Sequence, residues 1–269
     1  PPEDARNVQI AGCVCPNIMG KTSSGMGLAE LGGISVVGMF EEVLYDHGRP
    51  LDCGPVHMDP SRDPREMTSA DELLDAMMDR VYYYTRISTV SWNIAQQVLM
   101  DCKVDPCTSL LLDDCLDRGI DMQKINKEGD DFPNILPFGA MNASDGLAAI
   151  QRLVFDEKKV AMEDLINALL ANWEGYEAMR RDVIRASKFG NDDDDADAWA
   201  VKLRMRLAAT IARVRDAWGR PVTLDGSVAT GYAMYGMASG ATPDGRLAGT
   251  PLADGTCSPV AGMDRNGPT

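Results

Sequence analysis

Histidine is scarce in this 269-residue chain, where His47 and His57 are the only two. That number excludes a His-rich metal site. Basic residues are outnumbered as well: 26 Lys and Arg face 41 Asp and Glu, for a net charge of −15. Such a field repels phosphate backbones and anionic membrane surfaces, which sets nucleic acid and membranes aside as partners. No run of about eighteen apolar residues occurs, so the sequence offers no membrane-spanning helix. Nor does a basic stretch followed by an apolar one open the chain, so no secretory signal is visible. Internal repeats and low-complexity linkers are missing too.

What is present reads as an ordinary globular composition, with 45% hydrophobic and 25% charged residues. The length allows one large domain or two small ones. Seven cysteines (Cys13, Cys15, Cys53, Cys102, Cys107, Cys115, Cys257) are an odd number. Without a signal, they favour reduced thiols in a cytoplasm over a disulfide framework. Sixteen Met residues are core filler. The opening "PPEDARNVQI" has no initiator Met and "DRNGPT" is an abrupt stop, so the expectation is a piece of a longer polypeptide.

Periodicity predicts helices through the middle. "GGISVVGMFEEVLYDHGRP" places Val36, Val37, Phe40, Val43 and Leu44 at helical spacing before Gly48 and Pro50. His47 would sit at that helix end, where a partly charged imidazole is favourable. A second helix runs from a cap at Thr68 or Ser69, with Leu73, Leu74, Met77, Met78 and Val81 on one face and Tyr82 to Tyr84 partly in the core. "PCTSLLLDDCLDRGID" predicts one short helix from Pro106 to Gly119. Across residues 142–187, which open with "NASDGLAAIQRLVFDEKK", two helices are expected. Ser144 or Asp145 caps the first, "DEKK" breaks it, and the second carries Met162, Leu165, Ile166, Leu169, Leu170 and Trp173 inward. The acidic run 192–195 starts a further helix that ends at Gly219. It suits metal poorly, because consecutive helical residues do not share a face. Beyond Pro221 the Gly-, Pro- and Ser-rich texture predicts strand and loop, including Val222 to Leu224. The fold class is therefore α/β.

The stretch "IAGCVCPNIMGKTS" sets two cysteines one residue apart. A disulfide between them would close too small a ring. A structural zinc site would want a longer spacer and a second ligand pair. Cys102 and Cys107 do not make a strong metal pattern either. No metal site is assigned.

Two separated stretches share a likeness. "ATPDGRLAGTPLADGTCSPVAGMDRNGPT", residues 241–269, closely resembles a segment of the glycyl radical enzymes, the family of pyruvate formate-lyase (formate acetyltransferase) and of the glycerol-dehydratase-like enzymes. "GCVCP" at 12–16 is similar to that family's finger-loop motif, often Gly-Cys-Val-Glu-Pro. "SLLLDDCLDRGID", "GLAAIQRLVFDEKK" and "FGNDDDDAD" resemble the helices between. The resemblance implies a ten-stranded barrel of two antiparallel half-barrels surrounded by helices, with residues 1–269 forming part of that single barrel domain. It makes Cys13 the thiol that passes its hydrogen to a glycyl radical and then abstracts hydrogen from a small organic substrate. The product is a cleaved or formed C–C or C–heteroatom bond. It also implies a homodimer, no bound cofactor, and an activating enzyme that uses S-adenosylmethionine and an iron–sulfur cluster to install the radical in an anaerobic metabolism. The family's glycine loop, close to Arg-Val-x-Gly-Tyr, is not in this sequence.

Position 15 departs from the pattern. The dehydratases carry Glu two residues after the active cysteine; here it is Cys15. A neutral thiol is a poor proton acceptor. Pyruvate formate-lyase has two adjacent cysteines, but Gly12 stands where the first would be. Three readings of Cys15 stay open: a spectator, a hydrogen relay, or an acid–base group tuned by its pocket. The other cysteines read as reduced structural residues. His57, after "CGPV", and Arg246 are the candidates for substrate contact, and "TPDGR" is also plain turn chemistry in which Asp244 and Arg246 would shape the barrel mouth. The expected activity is that of a radical lyase; alternatives are a dehydratase or decarboxylase with a relocated base, and a non-catalytic truncated scaffold.

Overall fold

A computed structural model describes residues 2–11, 15–18, 30–45, 62–125, 133–226 and 230–266. The elements follow one another as α1 (Pro2–Arg6), β1 (Val8–Ala11), β2 (Cys15–Ile18), β3 (Glu30–Ser35), α2 (Val36–Tyr45) and α3 (Ala70–Cys102). Then come α4 (Pro106–Ser109), α5 (Asp113–Arg118), α6 (Met122–Ile125), β4 (Asn134–Phe138) and α7 (Ala140–Ile150). The last are α8 (Met162–Leu170), α9 (Glu177–Arg185), α10 (Asp194–Ile211), β5 (Thr223–Leu224) and α11 (Gly231–Ala238). The class is α/β. Among the described residues five strands form two sheets, an antiparallel β1–β2 pair and a three-stranded sheet ordered β3–β4–β5. In the latter β4 and β5 run parallel, Asn134 opposite Thr223 and Ile135 opposite Leu224.

The chain divides into two compact units: residues 1–32, 84–136 and 211–227, and residues 33–83, 137–210 and 228–269. In the second, Val36, Val37, Phe40, Val43 and Leu44 of α2 are buried as the periodicity predicts. α2 packs against α7, and glycine makes the approach possible: a Cβ on Gly146 would lie 2.8 Å from Phe40 Cε1. The start of α3 is stabilised by Glu72, which turns back to accept from the Thr68 hydroxyl at 2.5 Å and the Thr68 N–H at 3.3 Å. Leu73, Leu74, Met77 and Val81 are fully buried, while Tyr82 to Tyr84 are half-buried. α10 runs parallel to the beginning of α3, with Lys202 paired to Asp71 at 2.9 Å and Arg206 to Asp75.

The smaller unit has its own anchors. Trp92 and Trp218 meet edge to face with centroids 5.7 Å apart. Beside them the Asp216 carboxylate accepts from the N–H groups of Trp218 (3.0 Å) and Arg220 (2.8 Å) and from Arg220 Nε (2.7 Å). Leu112, Cys115 and Met122 form a separate buried cluster.

Several elements differ from expectation, each for a local reason. α7 begins at Ala140 with left-handed Gly139 (φ 74°) at its N-cap, so Ser144 and Asp145 are not caps but lie inside the helix at 0% exposure. A Cβ at Gly139 would stand 2.5 Å from Val37 Cγ2, so only glycine turns β4 directly into the helix here. The "DEKK" break is preceded by a π-helical turn over Gln151–Asp156. Asn172 and Trp173 take positive φ (50° and 66°), which ends α8 early and leaves α9 a separate helix. Trp173 is still buried, whereas Leu170 is 43% exposed. The segment from Pro106 gives two short helices, because Leu112 is extended between them, and Gly119 closes the second in the left-handed conformation. α10 stops at Ile211 rather than Gly219: Val214 N–H donates to the Ile211 carbonyl, and the chain then doubles back through an Arg215–Pro221 bridge whose turn is held by the Asp216 carboxylate accepting from the Trp218 and Arg220 N–H groups. α11 is a helix within a stretch expected to be strand and loop.

Candidate active site

The cysteine motif is flanked by β1 and β2, which pair antiparallel. Val8 stands opposite Ile18, Gln9 opposite Asn17, Ile10 opposite Pro16 and Ala11 opposite Cys15. With Ala11 and Cys15 paired, residues 12–14 link the strands in sequence. Cys13 lies outside the described residues, as do His47, Cys53 and His57. Cys15 contributes its backbone to β2, and its side chain is likewise not described. Of the remaining cysteines, Cys102, Cys107, Cys115 and Cys257 are free thiols, and only Cys115 among these four is buried, which raises its pKa.

"TPDGR" is built in the larger unit. The turn is closed by Gly245 N–H donating to the Thr242 carbonyl (3.0 Å) and Thr242 N–H donating to the Arg246 carbonyl (3.1 Å). Gly245 is required there by its φ of 98° and by Ile184, whose Cγ1 would be 2.5 Å from a Cβ. Asp244 Oδ1 accepts from the Thr242 hydroxyl and from Arg246 N–H (3.1 Å). The Arg246 guanidinium donates to the carbonyls of Thr250 (2.6 Å), Gly236 (3.4 Å) and Gly240, and to Thr242 Oγ1 (3.3 Å). At 8% exposure Arg246 is buried, and desolvation pushes its pKa down while Asp244 and Glu41 push it up. Arg246, a candidate for substrate contact, therefore spends its donors on the loop itself. What it supplies here is a fixed loop shape.

Helices grip this loop from beneath. Asn142 Nδ2 donates to Asp244 Oδ2 at 2.7 Å, and Asn142 Oδ1 accepts from Ala253 N–H at 2.8 Å. Trp173 Nε1 donates to the Arg246 carbonyl (3.2 Å) and Arg180 Nε to the Gly245 carbonyl (2.8 Å). One turn along α7, Asp145 Oδ1 accepts from Phe189 N–H (2.9 Å). Burial raises the Asp145 carboxyl to about 7, against the lowering effects of the Phe189 N–H and Lys188. Lys188 Nζ donates to the carbonyls of Val183 (2.8 Å) and Ala186 (3.3 Å) at the end of α9, and desolvation lowers its pKa. Asn191 Nδ2 donates to the Met263 carbonyl (2.8 Å), and its Oδ1 accepts from Arg265 N–H (2.7 Å) and Asn266 N–H (3.1 Å).

Asn142 was not singled out by sequence reasoning, Asp145 only as a helix cap, and Lys188 and Asn191 not at all. A signal existed for the first two: "AMNASDGLAAI" sets Asn, Ser and Asp among small apolar residues on a helix buried along its whole length. Polar groups in such a helix must find partners inside the protein.

Residues 1–236 match the family model for pyruvate formate lyase-like proteins. The chain is 31% identical over 274 residues to trans-4-hydroxy-L-proline dehydratase of Clostridioides difficile, covering 99% of this chain and 33% of that protein. It is 32% identical over 273 residues to isethionate sulfite-lyase of Bilophila wadsworthia, covering 99% and 32%. The structure superposes on the glycerol-bound form of the B12-independent glycerol dehydratase from Clostridium butyricum with a TM-score of 0.85, at 26% identity and over 98% of this chain and 33% of that one. The chain belongs to the pyruvate formate-lyase-like family of glycyl radical enzymes. It spans about one third of the length of these three proteins.

Proposed function

We propose that this chain is part of a glycyl radical lyase in which Cys13 carries the reacting sulfur. The observation that supports this most directly is the β1–β2 register, which pairs Ala11 with Cys15 and so leaves "GCV" linking two paired strands, in a chain whose family match begins at its first residue. In the reading proposed, the short link between the two paired strands carries the thiol while the strands stay hydrogen-bonded. Strands and link together are the finger loop of a ten-stranded barrel completed by further polypeptide. A glycyl radical, installed by an S-adenosylmethionine and iron–sulfur activating enzyme, supplies one unpaired electron. The Cys13 S–H bond breaks as its hydrogen moves to the glycine. The sulfur then takes hydrogen from a substrate C–H, and the substrate radical expels or rearranges its neighbouring group. Enclosure keeps water from the radical. The whole protein is a cytoplasmic homodimer acting on a small organic molecule.

Relatives named as dehydratases favour a second reading, dehydration. Cys15 counts against a Glu-assisted version, since a neutral thiol accepts a proton poorly. The test is anaerobic activation of the full-length protein followed by electron paramagnetic resonance and a panel of small hydroxylated, sulfonated and carboxylated substrates. The expected result is a glycyl doublet and turnover; Cys13→Ala keeps the doublet and loses turnover. Turnover retained in that variant overturns the assignment. No doublet and no turnover in the wild type support a scaffold instead. Dehydration that appears only in Cys15→Glu supports the base argument.

A further inference from the structure

The Asp145–Lys188 pair, within the larger unit, has a construction that a purely structural ion pair would not need. Both side chains are buried, Asp145 at 0% and Lys188 at 5% exposure. Yet the two do not bond to each other. The Lys188 ammonium is spent on the Val183 and Ala186 carbonyls that α9 leaves open at its end. Asp145 Oδ1 takes the Phe189 N–H, while its Oδ2 has no hydrogen-bond partner among the described residues. The same is true of the neighbouring Ser144 Oγ. A bare buried oxygen costs more on an ionised carboxylate than on a protonated one.

We propose that Asp145 is a proton-operated latch for the segment that holds the end of this chain in place. With the proton on Oδ2, Lys188 stays on the α9 carbonyls and residues 188–191 dock on α7. When the proton leaves to solvent, the buried charge draws the Lys188 ammonium off those carbonyls, and the 186–191 segment loosens. Asn191 couples this to the chain end, because its side chain bonds to Met263, Arg265 and Asn266. Gly190 strengthens the coupling: Pro259 packs so close that a Cβ there would be 2.4 Å from Pro259 Cγ. The charged groups acting on Asp145 are Lys188 and Asp244; those acting on Lys188 are Asp145, Asp244, Arg265 and Arg152. Asp244 is held by Asn142, Thr242 and the Arg246 N–H, so the mobile charge in the set is Lys188. The docked carboxyl titrates at about 7, so the switch works on the acid side of neutrality and is complete near pH 7.

Hydrogen–deuterium exchange on the full-length polypeptide, corrected for intrinsic rates, reads the latch at the amides of Phe189 and Arg265. Protection at both is expected to fall by up to about tenfold per pH unit as pH rises from the ordinary carboxyl value toward 7 in the wild type, and to flatten above it. Asp145→Asn is expected to hold it level over the same range. Lys188→Met is expected to move the midpoint to higher pH, since the ionised carboxylate then lacks that cation. Asn191→Ala leaves the Asp145 contact in place, so Phe189 should keep its midpoint while Arg265 loses protection at every pH. Flat protection in the wild type between the ordinary carboxyl value of 3.8 and about 7 overturns the proposal, and so does a wild-type pH dependence that survives unchanged in Asp145→Asn.

Discussion

Asn142 and Asp244 lie 102 residues apart in sequence and meet through a 2.7 Å hydrogen bond inside the protein. The same amide accepts from Ala253 N–H, so one side chain on α7 fixes two points of the segment after α11. Such a segment has little regular structure to hold it. Its shape comes from side chains that substitute for a sheet or helix ladder.

Asn142→Ala would strip a partner from both the Asp244 carboxylate and the Ala253 N–H at a site with no exposure. With each orphaned group costing about 1–3 kcal/mol, the loss should be about 3 kcal/mol. Denaturant unfolding measures it. A change below about 1 kcal/mol would show that water replaces the amide.

Phe138 lies between two glycines and on one tyrosine. Its ring stacks on Tyr235 with centroids 4.1 Å apart, and a Cβ on Gly33 or Gly231 would fall 2.0 or 2.4 Å from its atoms. Gly231→Ala should therefore destabilise by about 2 kcal/mol through overpacking. Combining it with Phe138→Leu should cost less than the sum of the two single changes, because the added methyl then has room. Strict additivity in thermal melts would contradict the contact.

Asp145 should leave a mark on stability against pH. Its folded value of about 7 stands above the ordinary 3.8, so the folded state binds this proton more tightly than the unfolded one. Its contribution is full below the ordinary value and is lost as pH rises toward 7, at up to about 1.4 kcal/mol per unit and on the order of 4 kcal/mol in all. Carboxylates lowered by their partners, such as Asp182 beside Lys159, act with the opposite sign. The informative quantity is thus the difference between wild type and Asp145→Asn. That difference should change across this window and flatten above it; a constant difference would refute the shift.

The Lys202–Asp71 pair should matter little. Its side chains are 42% and 57% exposed, and exposed pairs contribute about 0–1 kcal/mol. Lys202→Ala should fall within that range in denaturant unfolding, and a larger loss would point to the stacking of Lys202 on Trp199 at 4.2 Å.

How far the structure was legible depended on the distance over which each signal acts. Helical periodicity announced α2, α3 and the inward face of α8, because burial of one stripe is a property of neighbouring residues. The break before α9 was not announced: Asn172 and Trp173 adopt positive φ so that Trp173 can reach the Arg246 carbonyl, a partner 73 residues away. Ser144 and Asp145 were mistaken for caps on the same account, since their residue types suit an N-cap and nothing local says that Gly139 has already started the helix.

By itself the amino-acid order determined the α/β class, the acidic balance, the family, and the closely spaced cysteine pair. These are matters of composition, period and motif, all carried by residues near one another in the chain. Only the folded molecule decided that Arg246 is consumed within its own loop, that Asn142 and Asn191 bind down the end of the chain, and that Asp145 is enclosed with one oxygen bare. Desolvation and hydrogen-bond partnership across long separations arise only when distant segments come together.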